Sequence, residues 1–226
     1  MKFVIENNLL IQAKSVLSKR KNIYWIVGGA GSGKTTVCEE LSRKFDMFIY
    51  DMDAHIYGAY HNRFIDERHP VNKKWSTSEN GLAWLLGMTW DEFNNFNQAA
   101  LPEYIDLLVE DIEGMEIDTS LIIDGGISNP SLVAQVIPSS QIVCLATPDD
   151  KNANIWETSE DRKAMKKFIY QLPEPEKAWQ KFLEFDNCIT RTILEECDES
   201  GIAVCTRRGN ESVVETIEKV GQVLAL

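Results

Sequence analysis

Eight residues constrain this chain more than any others: Gly28-Gly29-Ala30-Gly31-Ser32-Gly33-Lys34-Thr35. They match the pattern GxxxxGK[ST] in full and follow an unbroken apolar run, Ile23-Tyr24-Trp25-Ile26-Val27. Such a run suits a strand buried on both faces, as in a parallel sheet. Behind the motif, Thr36 to Phe45 reads as a helix. Strand, glycine turn and helix together form the setting in which this pattern wraps phosphate. Glycines let backbone N–H groups converge on an anion, and the helix starting near Gly33 adds the positive end of its dipole. Lys34 then reaches the β- and γ-phosphates, the Thr35 hydroxyl ligates magnesium, and Thr36 is placed to touch the α-phosphate. The expected ligand is a nucleoside triphosphate, ATP, with Mg2+, cradled by Gly28, Gly29, Ala30, Gly31, Ser32, Gly33, Lys34, Thr35 and Thr36.

Four more strand candidates follow: Met47 to Tyr50, Leu121 to Ile123, Gln141 to Ala146 and Ile202 to Cys205. Helical stretches separate most of them, and amphipathic helices are expected at Asn8 to Lys19 and Glu211 to Leu224. Strands alternating with helices imply βαβ units. The expectation is an α/β, three-layer fold: a five-stranded parallel sheet with helices on both faces, within a single domain spanning residues 1–226. About 70 residues separate the second and third strands, far more than a crossover needs. That segment is rich in aromatics (Tyr57, Tyr60, Phe64, Trp75, Trp84, Trp90, Phe93, Phe96) and reads as a helical insertion at about 55–118, over the C-terminal edge of the sheet. A second helical stretch, Asn154 to Glu196, is broken by Pro173 and Pro175, and its first part, about 151–175, has the place of a lid.

Net charge is -12, from 23 basic and 35 acidic residues. A surface that acidic repels nucleic acid and anionic membranes, so neither is an expected partner. No apolar run approaches the roughly 20 residues of a membrane helix. The first twenty residues lack the basic-then-apolar order of a secretory signal, which makes the cytoplasm the expected location. The five cysteines, Cys38, Cys144, Cys188, Cys197 and Cys205, include no CxxC pair and are expected as reduced thiols, mostly buried.

Three constellations narrow the chemistry. The second strand runs into Asp51-Met52-Asp53, two carboxylates alternating on a strand end. One is suited to the magnesium shell and the other to accepting a proton from a substrate hydroxyl. Leu121-Ile122-Ile123-Asp124-Gly125-Gly126 is an apolar strand delivering Asp124 to the sheet edge, where it can polarise magnesium-bound water. Asp161 to Lys167 concentrates Arg162, Lys163, Lys166 and Lys167 after the fourth strand. A helical lid carrying Arg162 or Lys166 would set cations on the transferring oxygens, with Arg191 as a competitor for that place. In the insertion, His61, Arg63 and Arg68 are candidate acceptor contacts, and two arginines there suit an anionic acceptor.

With these residues in order, the chain resembles the P-loop small-molecule kinases, the group that includes nucleoside monophosphate kinases, shikimate kinase and gluconate kinase. Asp51-x-Asp53 is similar to the pair after the second strand of shikimate kinases, and Asp124-Gly125-Gly126 to the Asp-Gly of the monophosphate kinase signature. Two departures leave the acceptor open. Ile127 stands where shikimate kinases carry a third glycine, and Ile127-Ser128-Asn129-Pro130 replaces the Pro-Arg of monophosphate kinases. The resemblance implies that the loop after the fifth strand packs on adenine, with Arg207 or Arg208 stacking on the base. It also implies transfer of the γ-phosphate of ATP to a small-molecule hydroxyl or phosphate acceptor by a monomer or homodimer. The roles then fall to Lys34, Asp53 and Arg162 for catalysis and to Thr35 with Asp51 or Asp124 for the metal.

The chain lacks the Asn-Lys-x-Asp guanine reader of GTPases and the Leu-Ser-Gly-Gly-Gln signature of ABC-type ATPases. The remaining rival is a regulatory or interaction protein that uses ATP as a structural ligand or switch. An aromatic-lined cleft facing Lys34 favours the phosphotransferase, and a convex aromatic patch favours the rival.

Overall fold

The computed structural model describes residues 2–116, 118–147, 155–156, 160–207 and 211–226. Five strands form one sheet: β1 (Ile23–Val27), β2 (Phe48–Asp51), β3 (Leu121–Asp124), β4 (Ile142–Ala146) and β5 (Ala203–Thr206). Their order is β2-β3-β1-β4-β5, and every pairing is parallel. The apolar runs of the sequence thus become the strands expected of them.

Side chains alternate across the sheet, and the core divides accordingly. Trp25 and Val27 of β1, Leu121 and Ile123 of β3, and Ile142 and Cys144 of β4 point into the larger cluster. Ile26, Ile122, Val143 and Leu145 point the other way. Helices α1 (Asn7–Leu17), α6 (Trp90–Glu113), α7 (Pro130–Val133) and α9 (Pro175–Glu199) cover the larger face. Helices α2 (Lys34–Phe45) and α10 (Val213–Leu224) cover the smaller one, through Val37, Leu41, Ile217 and Val220 among others.

Local chemistry sets the helix ends. Thr89 and Glu92 form a reciprocal capping box at the start of α6, and Ser212 and Glu215 do the same for α10. Pro175 opens α9 at a first-turn position that needs no N–H. Helix α8 (Glu160–Ile169) precedes it and carries the basic run. Of the expected lid, residues 151–154 and 157–159 lie outside the described residues.

Between β2 and β3 the chain is helical, as expected: α3 (Met52–Ile56), a 3-10 turn at Ala59–Asn62, α4 (Pro70–Ser76), α5 (Gly81–Leu86) and α6. Two buried carboxylates of α6 pin the start of α4 and the turn before it to that helix. Glu103 accepts from the backbone N–H groups of Val71 and Asn72, at 2.9 and 2.8 Å, and from Asn72 Nδ2 at 2.8 Å. Burial pushes its carboxyl up to about 7, against the pull of those three bonds. Asp106 pairs with Arg68 and, at 3.0 Å, with His69 Nε2.

One expectation fails at the end of β2. Asp53 does not alternate with Asp51 along a strand, because the Asp51 carboxylate accepts from the Ala54 N–H at 2.9 Å and caps α3. Asp53 therefore sits in the first turn of that helix. Among the described residues, no helix is long and apolar enough to cross a membrane.

Leu108 is fully buried in the larger cluster. Leu108→Ala should lower unfolding free energy by about 2–5 kcal/mol, read from urea denaturation at an unchanged m-value.

Candidate active site

The loop after β1 has little room around it. A β-carbon at Gly28, where φ is +146°, would meet the Leu145 carbonyl oxygen at 2.3 Å. One at Gly31, where φ is +75°, would meet Ile155 Cδ1 at 1.4 Å. Both positions lie in backbone space that L side chains rarely adopt, so sterics and conformation both demand glycine. Gly33, also left-handed, begins α2 with no side chain capping the helix, so its first N–H groups remain for a ligand. Lys34 Nζ lies across the loop, donating to the carbonyls of Gly28 at 2.9 Å and Gly29 at 3.1 Å.

Sheet register brings the carboxylates to this loop. Asp124 pairs with Ile26 on one side and with Asp51 on the other, so the two acids stand side by side. Asp124 is buried beside Thr35, whose hydroxyl favours its charged form, yet its Oδ1 has no partner. Burial raises its pKa and the neighbouring Asp51 adds to that, while Thr35 and Lys34 oppose. Ser32 Oγ is likewise buried and unpartnered. Among the described residues no three His, Cys, Asp or Glu side chains form a metal cage. Magnesium bound largely by phosphates and water needs only one or two protein oxygens, and Thr35 Oγ1 beside the unpartnered Asp124 Oδ1 fits that demand. The Asp51 carboxylate is taken by the α3 cap.

Asp53 approaches from the insertion. Its Oδ2 lies 2.9 Å, and Lys34 Cε 3.2 Å, from where a β-carbon on Gly125 would be, so the two flank that glycine. Asp53 is accessible at the cleft mouth, yet protein crowds it from several sides. The crowding decides its titration: desolvation raises its pKa, Lys34 opposes, and Asp51 and Asp124 raise it further. Gly28, Gly29, Lys34 and Asp53 form one end of a cavity of about 240 Å³. Its other walls are Ile56, Tyr57, Trp75, Leu85, Phe93, Phe96, Leu101 and Tyr104 of the insertion, Ile127 and Ser128 after β3, and Ile189 and Ile193 of α9. The apolar seats on α9 follow from its strongly amphipathic sequence, and on the insertion wall Asn97 of α6 carries a buried Nδ2 with no partner.

The remaining expected residues separate into those at the loop and those away from it. Arg162 is at the loop: Nη1 lies 3.2 Å from a β-carbon position on Gly31 and donates to the Ile155 carbonyl at 3.2 Å. Lys166 lies over the Trp179 ring instead, 5.2 Å from its centroid. Arg191 is exposed and turned toward Glu195, at 3.9 Å. Arg207 donates from Nε to the Glu211 carbonyl at 3.3 Å at the end of β5, and Arg208 lies outside the described residues. Arg63 is held by Glu110 and Asp111, and Arg68 by Asp106, while His61 packs 4.7 Å from the Trp75 ring. None of these last three lines the cavity, which corrects the reading of them as acceptor contacts.

Sequence reasoning missed Asp186. On α9, it accepts from Trp156 Nε1 at 2.9 Å and lies in the field of both Lys34 and Arg162. Burial raises its pKa against those cations. Nothing in its local sequence distinguishes it from the other acids of that helix.

A five-stranded parallel sheet covered on both faces, whose central strand feeds a glycine loop and then a helix, is a three-layer P-loop fold. Solved structures similar to it include the following two. TT1252 from Thermus thermophilus is 19% identical with a TM-score of 0.48, over 91% of this chain and 97% of that one. Shikimate kinase from Acinetobacter baumannii, in complex with shikimate, is 16% identical with a TM-score of 0.42, over 94% and 97%. No protein-family model and no curated protein matches the chain. The roles of individual residues therefore rest on this chain's own geometry.

A carboxyl whose pKa is raised on folding stabilises the fold at low pH, and that contribution is lost as pH climbs from its unfolded value through its folded one. Asp124, raised above 3.8, is such a group, so at pH 7 it destabilises the ligand-free fold. Asp124→Asn should raise Tm at pH 7 by about 2–4 °C for each kcal/mol of relieved burial and repulsion. The gain should vanish toward pH 3, as thermal unfolding followed by circular dichroism would show.

Proposed function

We propose that this protein is an ATP- and magnesium-dependent phosphotransferase that moves the γ-phosphate onto a hydroxyl or phosphate oxygen of a small molecule. The observation that carries the reading is that Lys34 and Asp53 share one cavity with the loop glycines and the aromatic wall of the insertion. A phosphate donor, a cation, a carboxylate and an acceptor space thus meet at the C-terminal edge of a parallel sheet, where such folds bind ligands. Residues 1–226 act as one domain in this reading, with about 55–118 holding the acceptor and about 151–175 closing over the phosphates.

The chemistry follows from placement. Gly28 to Thr36 hold the triphosphate with backbone N–H groups, and Lys34 leaves its two carbonyl partners to meet charge growing on the γ-phosphate. Asp53 orients the acceptor hydroxyl and takes its proton as the acceptor oxygen bonds to phosphorus. The bond from the γ-phosphorus to the bridging oxygen breaks, and ADP departs. A raised Asp53 pKa makes that carboxylate a stronger base than an ordinary aspartate. Bound magnesium would neutralise phosphate oxygens during transfer, held by Thr35 and Asp124. Asp51 supports α3, and with it Asp53, by its capping bond. Arg162 supplies the lid cation, and Arg207 the contact to the base. The rival reading needs a convex aromatic patch, whereas Trp75, Phe93 and Phe96 face the cavity that Lys34 lines.

Magnesium-dependent ATP consumption should be stimulated by one member of a panel of nucleosides, nucleoside monophosphates, sugars, sugar acids and other alcohols. Lys34→Ala should lower that turnover by about 10³-fold or more while leaving the circular dichroism spectrum unchanged. Undiminished turnover in the variant would sink the assignment. Arg162→Ala should cost about 10²–10³ in kcat with a smaller effect on KM, measured in the same assay.

A further inference from the structure

On the phosphotransferase reading, the cavity wall also narrows the acceptor. We infer that the acceptor is an uncharged, ring-bearing alcohol, in place of the anionic acceptor that two arginines in the insertion suggested.

The argument starts with charge. Among the described residues, Lys34 is the cation on the cavity wall, and in transfer it serves the triphosphate. Arg162, over the glycine loop, serves the phosphates as well, and Arg63 and Arg68 are the insertion arginines that the sequence offered for a carboxylate or phosphate on the acceptor. They are committed to Glu110, Asp111 and Asp106, outside the cavity. Asp53 adds a negative charge on the same wall as the reacting oxygen, and the chain as a whole carries -12. An acceptor anion would lose its water here without gaining a partner, the costliest kind of burial.

The shape of the wall supplies the positive half. Trp75, Phe93, Phe96 and Tyr104 from the insertion line the cavity together with Ile189 of α9. Trp75 and Phe96 meet edge to face, centroids 6.4 Å apart, within a cluster of rings whose cavity-lining part offers apolar and aromatic contact to a flat or chair-shaped body. At about 240 Å³, the space falls below the roughly 300–1,000 Å³ of drug-sized sites, so the body is compact. One hydroxyl at the Lys34 and Asp53 end completes the fit, and the insertion wall adds two uncharged donors that lack partners, Asn97 Nδ2 and Trp75 Nε1.

Matched probes test this on the full chain with ADP and magnesium present. Benzyl alcohol is compared with 4-(hydroxymethyl)benzoate, and cyclohexylmethanol with 4-(hydroxymethyl)cyclohexanecarboxylate, by saturation-transfer NMR titration. Each neutral member should bind at least tenfold more tightly than its carboxylate partner. Ile127→Lys, which sets a cation on the wall, should narrow that ratio at least threefold, with circular dichroism confirming an intact fold. Equal or tighter binding of the carboxylates, or no saturable binding of either neutral probe, overturns the inference. A transfer assay on the same pairs separates the two levels. Phosphorylation of carboxylate members alone sinks the inference and leaves the phosphotransferase standing. Selective binding of neutral members without transfer sustains the pocket's selectivity and removes the phosphotransferase.

Discussion

The Leu145 carbonyl oxygen, the Ile155 side chain and Thr190 press on the backbone of the glycine loop from β4, the segment after it and α9. Side chains larger than hydrogen at Gly28 or Gly31 would force one of these neighbours away. The rest of the cleft follows from that contact. Because α9 lies against the loop, Ile189 and Ile193 wall the cavity and Asp186 comes within the field of Lys34. With Ile155 seated on Gly31, Arg162 is held above the same loop by its bond to the Ile155 carbonyl.

Much of the fold could be read from the chain because buried parallel strands leave a plain trace. Ile23 to Val27 is apolar at every position, and β1 is packed on both faces by two separate clusters. The glycine motif likewise carries its own conformational demand. Asp124 was legible for a related reason: an acid ending an apolar strand has few structural uses, and sheet register carries it to Thr35.

Other parts depended on partners distant in sequence. Arg68 and Asp106 are 38 residues apart, and Arg63 and Asp111 48 apart, so no local pattern signals that these arginines are taken. Asp53 reached the cleft by a different route from the one its spacing suggests. A strand would alternate it with Asp51, but an aspartate preceding a helical turn competes as a cap, and the cap wins here. Asp186 and the apolar stripe of α9 belong to the site only because a long helix crosses the sheet edge, which is a property of topology.

The carbon-rich wall of the cavity has a thermodynamic consequence. A ligand held by Trp75, Phe93 and Phe96 is held mainly by surface taken away from water, and such binding carries a negative heat-capacity change. Its enthalpy therefore becomes steadily more exothermic with warming, while added salt, which screens charge and leaves apolar contact alone, hardly touches its affinity. Under the proposed function, a triphosphate at the Lys34 end of the same cleft would obey the opposite rule, responding to ionic strength and little to apolar hydration. One continuous space would thus join two ligands whose affinities answer to different physical variables.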